Sequence, residues 1–543
     1  MRRGGGVLMH ISSLPGPFGI GVFGEEAIAF AKQLAGQGMK YWQVLPFSYP
    51  GMGNSPYQSF SAFAGNWLFI DPRRLMKRGL LTPNEVVDAE YSQNKWRIDY
   101  DYLRTSRDEM LRKAFDRCDA KTLKEVDKFL AENPWAADVA AYQTVKDDNF
   151  GKPWWEWSDD RLKNYDPKAV GDLKGTVNYK YHAFVQYLFV TEWAEVKKEI
   201  NELGIAIIGD MPIYVSGDSA DVWASRGLFK MADPSKVNKL LSDYEKAMAK
   251  YQKEMQKAEK AGTNGDDLPK EPSKPKPEAL VFDKVAGVPP DYFTADGQLW
   301  GNPIYDWKKM RSTNYSWWIR RIEMNFMLYD YLRIDHFRGF SSYWEVDADA
   351  ETAKNGKWCK GPGLEFFDIL DKNGVDRSRL IAEDLGEATP DLAEFMSKVN
   401  IPGMRVMEFA FNPGDDSSFM PHNFNRDCIA YTGTHDNNTL LGWLWDCPEN
   451  VRNFCLEYCG FTGDNWGDGG TRSASCRAII KTLWMSHAAV AIIPIQDMLG
   501  YGGDTRMNTP GTPTGNWAVR FTKEDLDSID NEWYRNLNRL YYR

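Results

Sequence analysis

The chain has 543 residues, which is too long for one small domain and allows several domains or one large fold with insertions. Its composition, 43% hydrophobic and 26% charged, is that of a globular protein, and no apolar run approaches the roughly 20 residues needed to cross a membrane. The net charge of −10 argues against a nucleic-acid partner, because neutralising phosphates needs a basic face.

The cysteines and the N-terminus favour a cytoplasmic protein. Seven Cys, an odd number, are scattered without a disulfide framework, which suits a reducing compartment. The chain begins with Met-Arg-Arg-Gly-Gly-Gly and shows no signal-peptide apolar region with a cleavage site. Cys455 and Cys459 could share a helix face, but no His or Cys pair at matching spacing accompanies them, so we expect no metal site there.

Apolar segments alternate with helical patterns along the chain. The segments predicted as strands are residues 6–13, 41–47, 204–215, 331–337, 379–385, 403–411, 428–436 and 490–499. Apolar residues at helical spacing occur at 25–38, 391–399 and 477–487. Near-continuous apolar strands between helices predict a parallel sheet covered on both faces, and eight of them predict an α/β fold, the (β/α)8 TIM barrel.

Residues 19–24 form a formal G-x-G-x-x-G pattern just after the first predicted strand. We do not interpret it as a dinucleotide site. Prolines separate it from the strand, and Glu25 and Glu26 stand where a pyrophosphate needs positive potential.

Two gaps between predicted strands are too long for loops, so we expect one catalytic barrel over residues 1–543 with two insertion subdomains around its mouth. The first, residues 48–203, follows strand two and includes charged helical stretches at 103–132. The second, residues 216–329, follows strand three. Within it, residues 236–260 predict a solvated helix or hairpin, with a coiled-coil partner face as the alternative, and the Pro- and Gly-rich residues 262–277 predict a flexible loop.

Polar residues cluster where the predicted strands end, which is where (β/α)8 barrels carry their active sites. Considered alone, the segment 331–337 could equally run into an ordinary charged surface loop. Five polar strand ends together predict a site. They are Asp210, Arg333 with Asp335, Glu383 with Asp384, His435 with Asp436, and Gln496 with Asp497.

Three carboxylates, Asp335, Glu383 and Asp436, are each about one or two βα units apart, so they can converge on one mouth. Retaining glycoside chemistry needs two carboxyls about 5 Å apart, one as nucleophile and one as acid/base. Arg333 lies two residues before Asp335 and faces the same side of a strand, so we expect it to keep Asp335 ionised. Glu383 needs a raised pKa, from burial and carboxylate neighbours, to donate a proton.

The surroundings favour a sugar over a phosphate as the substrate. With 21 Trp and 26 Tyr the chain is rich in side chains that stack on sugar rings, although they also serve ordinary cores. His435 is a candidate hydrogen-bonding partner for sugar hydroxyls, with a structural histidine as the alternative. A two-metal phosphoryl site could also use three carboxylates. We do not favour it, because the cleft loops lack a Lys- and Gly-rich phosphate cradle, and we expect neither metal nor organic cofactor.

The motifs resemble those of the 4-α-glucanotransferases (amylomaltase or disproportionating enzyme), glycoside hydrolase family 77, relatives of the α-amylase clan. The resemblance covers nearly the whole chain in long blocks that follow one another in order. The blocks are His-Ile-Ser-Ser-Leu-Pro-Gly-Pro (10–17), Asn-Ser-Pro-Tyr-Gln-Ser-Phe-Ser (54–61), Gly-Asp-Met-Pro-Ile-Tyr-Val (209–215), Gly-Val-Pro-Pro-Asp-Tyr-Phe (287–293), Gly-Gln-Leu-Trp-Gly-Asn-Pro (297–303), Arg-Ile-Asp-His-Phe-Arg-Gly (333–339), Ala-Glu-Asp-Leu-Gly (382–386), Gly-Thr-His-Asp-Asn (433–437) and Arg-Met-Asn-Thr-Pro-Gly (506–511).

The resemblance implies roles for individual residues. It implies that Asp335 is the nucleophile, Glu383 the acid/base and Asp436 the transition-state stabiliser. It also implies that residues 291–297 belong to a flexible loop arching over the cleft. The implied substrate-binding residues are Arg333, His336, His435, Tyr57, Ser55, Trp300, Asn302, Asp210, Asp218, Asp291, Tyr292 and Asn437. Asp210 could instead be a structural carboxylate at its strand end.

Three departures from the family pattern leave the carboxylates untouched. Trp67 follows Gly-Asn where the family usually has Pro, Asn438 stands where Asp is common, and the insertion at about 236–277 exceeds that of compact members. The expected activity is transfer of α-1,4-glucan segments between donor and acceptor maltooligosaccharides, without nucleic acid, membrane or obligate protein partner. The alternatives are a hydrolase of the same clan and a non-catalytic glucan-binding protein.

Overall fold

Strands and helices alternate along the computed structural model, which describes residues 1–91, 93–261, 268–290, 294–386 and 389–543. The strands are β1 (Gly4–Leu8), β2 (Tyr41–Gln43), β3 (Ala206–Pro212), β4 (Lys284–Val288), β5 (Gln298–Pro303), β6 (Tyr331–Asp335), β7 (Ser342–Asp347), β8 (Lys357–Lys360), β9 (Leu380–Ala382), β10 (Gly403–Val406), β11 (Cys428–Tyr431) and β12 (Val490–Pro494). The α-helices are α1 (Glu25–Gly36), α2 (Pro72–Lys77), α3 (Pro83–Asp88), α4 (Tyr100–Asp116), α5 (Ala120–Glu132), α6 (Pro134–Asp148), α7 (Asp160–Lys163), α8 (Pro167–Leu173), α9 (Val177–Glu202), α10 (Ala220–Ala224), α11 (Pro234–Ala261), α12 (Trp307–Ser312), α13 (Ser316–Leu328), α14 (Leu364–Lys372), α15 (Pro390–Val399), α16 (Leu440–Asp446), α17 (Glu449–Tyr458), α18 (Ala474–Met485), α19 (Ile495–Leu499), α20 (Lys523–Asp527) and α21 (Asn531–Leu540).

Eight of these strands form one parallel sheet in the order β10-β11-β12-β1-β2-β3-β6-β9. Around the sheet the strands therefore follow their order in the chain. The two ends of the sheet meet, because the amide of Ala382 in β9 donates to the carbonyl of Pro402, directly before β10, at 2.9 Å. The predicted (β/α)8 barrel is confirmed.

Alternate residues of the barrel strands pack into two separate clusters, as the two faces of a strand require. The inner cluster fills the barrel and contains Leu8, Tyr41, Ile208, Ile381, Met404, Val406, Ile429, Tyr431, Val490 and Ile492. The outer cluster packs the strands against the helices. Glycine is needed in β1, because a Cβ on Gly6 would lie 2.8 Å from the backbone oxygen of the neighbouring Tyr41.

The barrel strands are shorter than the predicted segments, and the residues beyond them form turns at the mouth. β6 ends at Asp335 because His336 takes a left-handed conformation (φ 48°), and a 3-10 helix at Phe337–Phe340 follows. β12 ends at Pro494, where α19 begins. After Pro494 apolar residues continue at Ile495, Met498 and Leu499 although the strand has ended, so hydrophobicity alone does not mark where a strand ends.

The insertion between β2 and β3 is helical, from α2 to α9. The charged stretch at 103–132 forms two helices, because Asp119 accepts a hydrogen bond from the amide of Thr122 at 2.7 Å and thereby starts α5. The 26-residue α9 ends the insertion and packs against α1, α6 and α13. The division of the chain into a barrel and two insertion subdomains stays a prediction.

The sequence interpretation did not anticipate a second, antiparallel sheet in the order β5-β4-β7-β8. It joins residues 284–303 of the second insertion to residues 342–360, which follow β6. Polar residues interrupt two of its strands, since β7 is Ser-Tyr-Trp-Glu-Val-Asp and β8 is Lys-Trp-Cys-Lys. Pairing between distant segments therefore decides this sheet.

The charged segment predicted at 236–260 is a single helix, α11, and none of its side chains is buried. This agrees with the solvated helix and excludes the hairpin alternative. Of the segment predicted as a flexible loop, residues 262–267 lie outside the described residues. Within the described ranges, no helix has both the length and the apolar character to span a bilayer.

Candidate active site

The three catalytic candidates lie at the carboxyl ends of barrel strands. Asp335 is the last residue of β6, and Glu383 follows β9, its immediate neighbour in the sheet. Backbone hydrogen bonds join the two strand ends, from Glu383 N to Ile334 O and from Phe337 N to Glu383 O, both at 3.1 Å. Asp436 lies in the turn between β11 and α16. The fold thus brings all three to one mouth, as the strand ends predicted.

Arg333 connects two carboxylates below the mouth. Its guanidinium places Nη1 2.6 Å from Oδ2 of Asp210 and Nη2 3.0 Å from Oδ1 of Asp335. Arg333 and Asp210 are buried, whereas about a third of the Asp335 side chain is exposed. Tyr57 donates from its hydroxyl to the same Asp210 oxygen at 2.8 Å. Asp210 is therefore the buried anchor that orients both Arg333 and Tyr57.

Burial raises the pKa of Asp335 above its ordinary value, although the positive charge of Arg333 opposes the rise. Arg333 thus favours the ionised form of Asp335, as expected, but it also contacts Asp210. Asp210 takes the shorter contact with the guanidinium, and its own negative charge also raises the pKa of Asp335.

Glu383 has the environment expected of a proton donor. Burial, followed by the negative charge of Asp335, raises its pKa to about 7, while Arg333 opposes the rise. Two backbone amides orient the carboxyl, since His336 N donates to Oε2 and Leu385 N donates to Oε1, both at 2.8 Å. Glu383 therefore holds a proton at a pH where an ordinary glutamate has lost it.

Asp436 has the opposite environment. Burial alone would raise its pKa, but the adjacent His435, 3.4 Å away, and a hydrogen bond from Asn508 Nδ2 at 2.7 Å hold the pKa below its usual range. Arg506 donates to the backbone carbonyl of Asp436 at 3.0 Å. The pKa of His435 is raised in turn, because the attraction of Asp436 outweighs burial. Asp436 is thus an ionised, half-exposed carboxylate that faces the mouth.

Aromatic rings border the carboxylates on two sides. Tyr57 and His435 stack with ring centroids 5.1 Å apart, and Trp517 lies 5.6 Å and 5.9 Å from them. On the other side, Trp300 meets His336 edge to face at 4.7 Å. Burial lowers the pKa of His336 to about 4, so this ring is neutral near pH 7. Both walls present the flat surfaces that sugar rings need.

Other predicted site residues shape the surrounding loops. Ser55 accepts from the amide of Tyr57 at 3.3 Å, and the amide side chain of Asn302 donates to Val215 O at 2.8 Å. Asn437 accepts from the amide and hydroxyl of Thr434 at 2.9 and 2.8 Å. These contacts hold the loops on which the site is built.

Asp218 contacts three residues of the helical insertion. Its side chain accepts from Lys146 Nζ at 2.6 Å, from the hydroxyl of Tyr142 at 2.5 Å and from the amide of Trp154 at 3.1 Å. It binds the helical insertion to the loop after β3. Asp291 and Tyr292 lie outside the described residues.

Two further strand-end carboxylates stabilise the framework. Asp384 accepts from the amide of Met404 in the next strand at 2.7 Å. Asp497 is buried and accepts from the hydroxyl of Thr432 at 2.6 Å and from the amide of Leu440 at 2.8 Å. Burial raises the pKa of Asp497 to about 6. A polar residue at a strand end therefore does not by itself belong to the site.

Sequence reasoning missed Trp517 and Asn508. Trp517 has a left-handed backbone (φ 61°), which is unusual for a bulky side chain and occurs where surrounding contacts enforce it. Asn508 belongs to the block 506–511, but nothing in the sequence connects that block to Asp436. Within the described ranges, no three His, Cys, Asp or Glu side chains group in a way that could hold a metal ion.

Comparison with known proteins places these features in one family. A family model described as 4-alpha-glucanotransferase matches residues 9–524. The 4-alpha-glucanotransferase of Clostridium butyricum is 38% identical, and the match covers 98% of this chain and 100% of that protein. The Thermus thermophilus protein of the same name is 37% identical over 97% and 96% of the two chains.

Solved structures give the same result. The amylomaltase from Streptococcus agalactiae in complex with acarbose superposes with a TM-score of 0.87 at 35% identity, covering 100% of this chain and 99% of that one. The amylomaltase from Corynebacterium glutamicum has a TM-score of 0.72 at 16% identity, covering 99% and 74% of the two chains. At that identity the second likeness concerns the fold alone.

Proposed function

Because the chain belongs to the 4-alpha-glucanotransferase family, glycoside hydrolase family 77, we propose that it transfers α-1,4-glucan segments from a donor to an acceptor maltooligosaccharide. The reaction is a double displacement with retention at the anomeric carbon. The observation that supports it best is the pair of carboxyl groups at the ends of neighbouring strands. Asp335 lies 3.0 Å from the guanidinium of Arg333, and the pKa of Glu383 is raised to about 7.

In the first step Glu383 is the acid. Its carboxyl donates the proton to the oxygen of the bond that breaks, while an Asp335 oxygen attacks the anomeric carbon. The bond from that carbon to the leaving sugar breaks, and a covalent glycosyl-enzyme forms with inverted configuration. The raised pKa of Glu383 supports this role, because a general acid works best when its pKa lies near the operating pH.

Arg333 and Asp210 position the nucleophile. Arg333 stabilises Asp335 as a carboxylate, and the buried Asp210 holds the guanidinium in place from the other side. The same arrangement favours the protonated form of Glu383, because the charge of ionised Asp335 is the second cause of the raised pKa of Glu383. One carboxylate ionised and its neighbour protonated is the division of roles that the chemistry requires.

Asp436 stabilises the transition state. Its ionised carboxylate, held by His435 and Asn508, can bind sugar hydroxyls and oppose the positive charge that develops on the ring. Tyr57, His435 and Trp517 line the same side of the mouth and supply contacts to the donor sugar.

In the second step the 4-hydroxyl of an acceptor glucan replaces the leaving sugar. Glu383, now ionised, takes the hydroxyl proton, and the hydroxyl oxygen attacks the anomeric carbon so that Asp335 is released. Two inversions restore the α-linkage. Trp300, against His336, is placed to stack on the acceptor and to favour it over water.

We also propose a cellular compartment for the protein and a role for its two insertions. The cysteines at 118, 359, 428, 447, 455, 459 and 476 are free thiols, which supports a reducing compartment such as the cytoplasm. Residues 48–203 and 216–329 are proposed to act as subdomains that build the walls of the cleft.

Incubation with maltotriose tests the activity. Transfer produces glucose together with a ladder of longer maltooligosaccharides, separated by chromatography. Shortening to maltose and glucose alone would instead assign a hydrolase of the same clan. Binding of maltotriose without any product would assign a glucan-binding protein.

A further inference from the structure

Trp445 is an exposed aromatic side chain held firmly at its edges. It lies on α16, and the residue is 49% exposed. Its indole Nε1 donates to the carbonyl of Gly467 at 3.1 Å, and a Cβ on Gly502 would lie 2.5 Å from the indole ring. Backbone from two loops therefore fixes the ring, while about half of the residue stays open to solvent.

One of these two loops also orients Asp436. The segment beginning at Gly502 continues to Arg506 and Asn508, which donate to the backbone carbonyl and to the carboxylate of Asp436. Trp445 lies nine residues after Asp436, and its ring meets this segment at Gly502, only four residues before Arg506 and six before Asn508. The exposed ring therefore borders the segment that orients Asp436.

Polar side chains accompany the ring. A Cβ on Gly502 would lie 3.3 Å from Oδ1 of Asp504 as well as against the indole, so the carboxylate and the ring are neighbours. At the start of α16, Asn438 donates to Asp446, the residue after Trp445, at 2.7 Å. An aromatic surface beside carboxylate and amide groups offers a sugar both its stacking face and partners for its hydroxyls.

The barrel places this ring opposite Trp300. Trp300 and His336 belong to segments after the third and fourth barrel strands, whereas Trp445 and Gly502 follow the seventh and eighth. In a closed ring of eight strands these positions face each other across the mouth. A glucan chain that extends from Trp300 past the carboxylates therefore continues toward Trp445.

We propose that Trp445, with Asp504, forms a remote donor subsite that binds a glucosyl unit of long α-1,4-glucan donors, several units from the bond that is cleaved. The inference rests on the proposed function, which places the acceptor at Trp300 and the donor on the side of Asp436. It predicts a preference for donors long enough to reach the ring.

The test compares kcat/KM for transfer from maltoheptaose and from maltotriose to labelled glucose. In Trp445→Ala the ratio of the two values should fall about three- to tenfold, the range expected for the loss of one aromatic face. Trp445→Tyr should restore most of the ratio, because a tyrosine ring still stacks. Trp358→Ala is the matched control, since Trp358 is also exposed, at 41%, but lies on β8; its ratio should equal that of the wild type.

An unchanged ratio in Trp445→Ala, or an equal fall for both donors, would overturn the subsite. If a thermal unfolding curve shows that Trp445→Ala is not folded, Asp504→Ala provides the test instead. Asp504 is exposed, and its replacement should lower the ratio of the two kcat/KM values in the same direction. Failure of the proposed function is distinguishable, since the wild type would then transfer nothing from either donor.

Discussion

The single positive charge of Arg333 contacts two carboxylates at unequal distances, and this difference affects the ionisation of Asp335. Asp210, with its side chain fully buried, takes the shorter contact, and Asp335 the longer one. A buried carboxylate without a partner costs several kcal/mol, which explains why the guanidinium is committed to Asp210. The remaining contact with Arg333 opposes the rise that burial causes in the pKa of Asp335.

Asp335→Asn tests the nucleophile. Turnover of maltotriose should fall by about 10⁴-fold or more, because an amide cannot form the ester to the anomeric carbon. Binding of maltoheptaose, measured by titration calorimetry, should remain detectable, since the amide keeps the shape of the side chain. Asp243→Asn, an exposed carboxylate on α11, is the control. Near-normal turnover of Asp335→Asn would rule out the assignment.

The pH dependence of activity should report Glu383. Its pKa is raised to about 7, and the first step needs the protonated form, so kcat/KM for maltotriose should fall as the pH rises through about 7. A profile that stays flat from about pH 6 to about pH 9 would contradict the role.

Glu383→Gln separates the two steps of the reaction. The glutamine cannot protonate a sugar leaving group, but an α-maltosyl fluoride needs no such proton. Asp335 should still attack it, and the glycosyl-enzyme should accumulate, because the base for the second step is absent. Mass spectrometry of the intact protein measures the adduct. Rapid turnover of the fluoride without an adduct would count against this division of roles.

At the level of elements, α9 carries a buried carboxyl that the site does not use. Glu192 accepts from the amide of Asp71 at 3.1 Å through Oε2, and its Oε1 finds no hydrogen-bond partner among the described residues. Burial raises its pKa to about 8. The helix therefore keeps a neutral carboxyl at its contact with the loop before α2.

Glu192 should make folding stability depend on pH. The carboxyl titrates near pH 4.5 when unfolded and near 8 when folded, so its stabilising contribution is complete below about pH 4.5 and is lost as the pH rises to about 8. Glu192→Gln removes that loss. The stability of the variant relative to the wild type should therefore increase over this range, by on the order of a few kcal/mol. Urea unfolding at several pH values measures it, and a constant difference would refute the shift.

At the level of the whole molecule, α11 stands apart from the barrel. None of its side chains is buried, and its base is held by local contacts, such as Lys236 Nζ with Asp283 at 2.6 Å. Next to that base, Ala232 N donates to Val281 O at 2.8 Å, so the two chain segments already meet there. The barrel and its site therefore do not depend on the helix for packing.

Replacing residues 239–272 with a flexible Gly-Ser linker of about six residues should leave the fold and the activity in place, because closing such a short loop costs little. We expect the melting temperature to change by only a few degrees and kcat/KM for maltotriose to stay within about twofold. Calorimetry and the chromatographic assay measure both. A variant that is folded but inactive would show that the helix acts on the cleft.

Much of the fold was predictable because the signals for it are local. Each barrel strand is an apolar run that hydrophobicity identifies, and charged residues directly after such a run belong to the mouth of any (β/α)8 barrel. Asp335, Glu383 and Asp436 could be proposed together for that reason. Hydrophobicity could not locate the strand ends, because the turn at His336 depends on its backbone conformation and the residues after Pro494 are helical.

The sequence by itself predicted the barrel, the three carboxylates at its mouth and the solvated character of residues 236–260, whereas the structure showed that this segment is a single helix. Only the tertiary structure decided that Arg333 serves Asp210 more closely than Asp335, that Asn508 and Trp517 adjoin the carboxylates, and that Asp218 binds the helical insertion. It also decided the antiparallel sheet. The physical reason is sequence separation: strands and exposed helices follow from neighbouring residues, whereas these contacts join residues that meet only when the chain has folded.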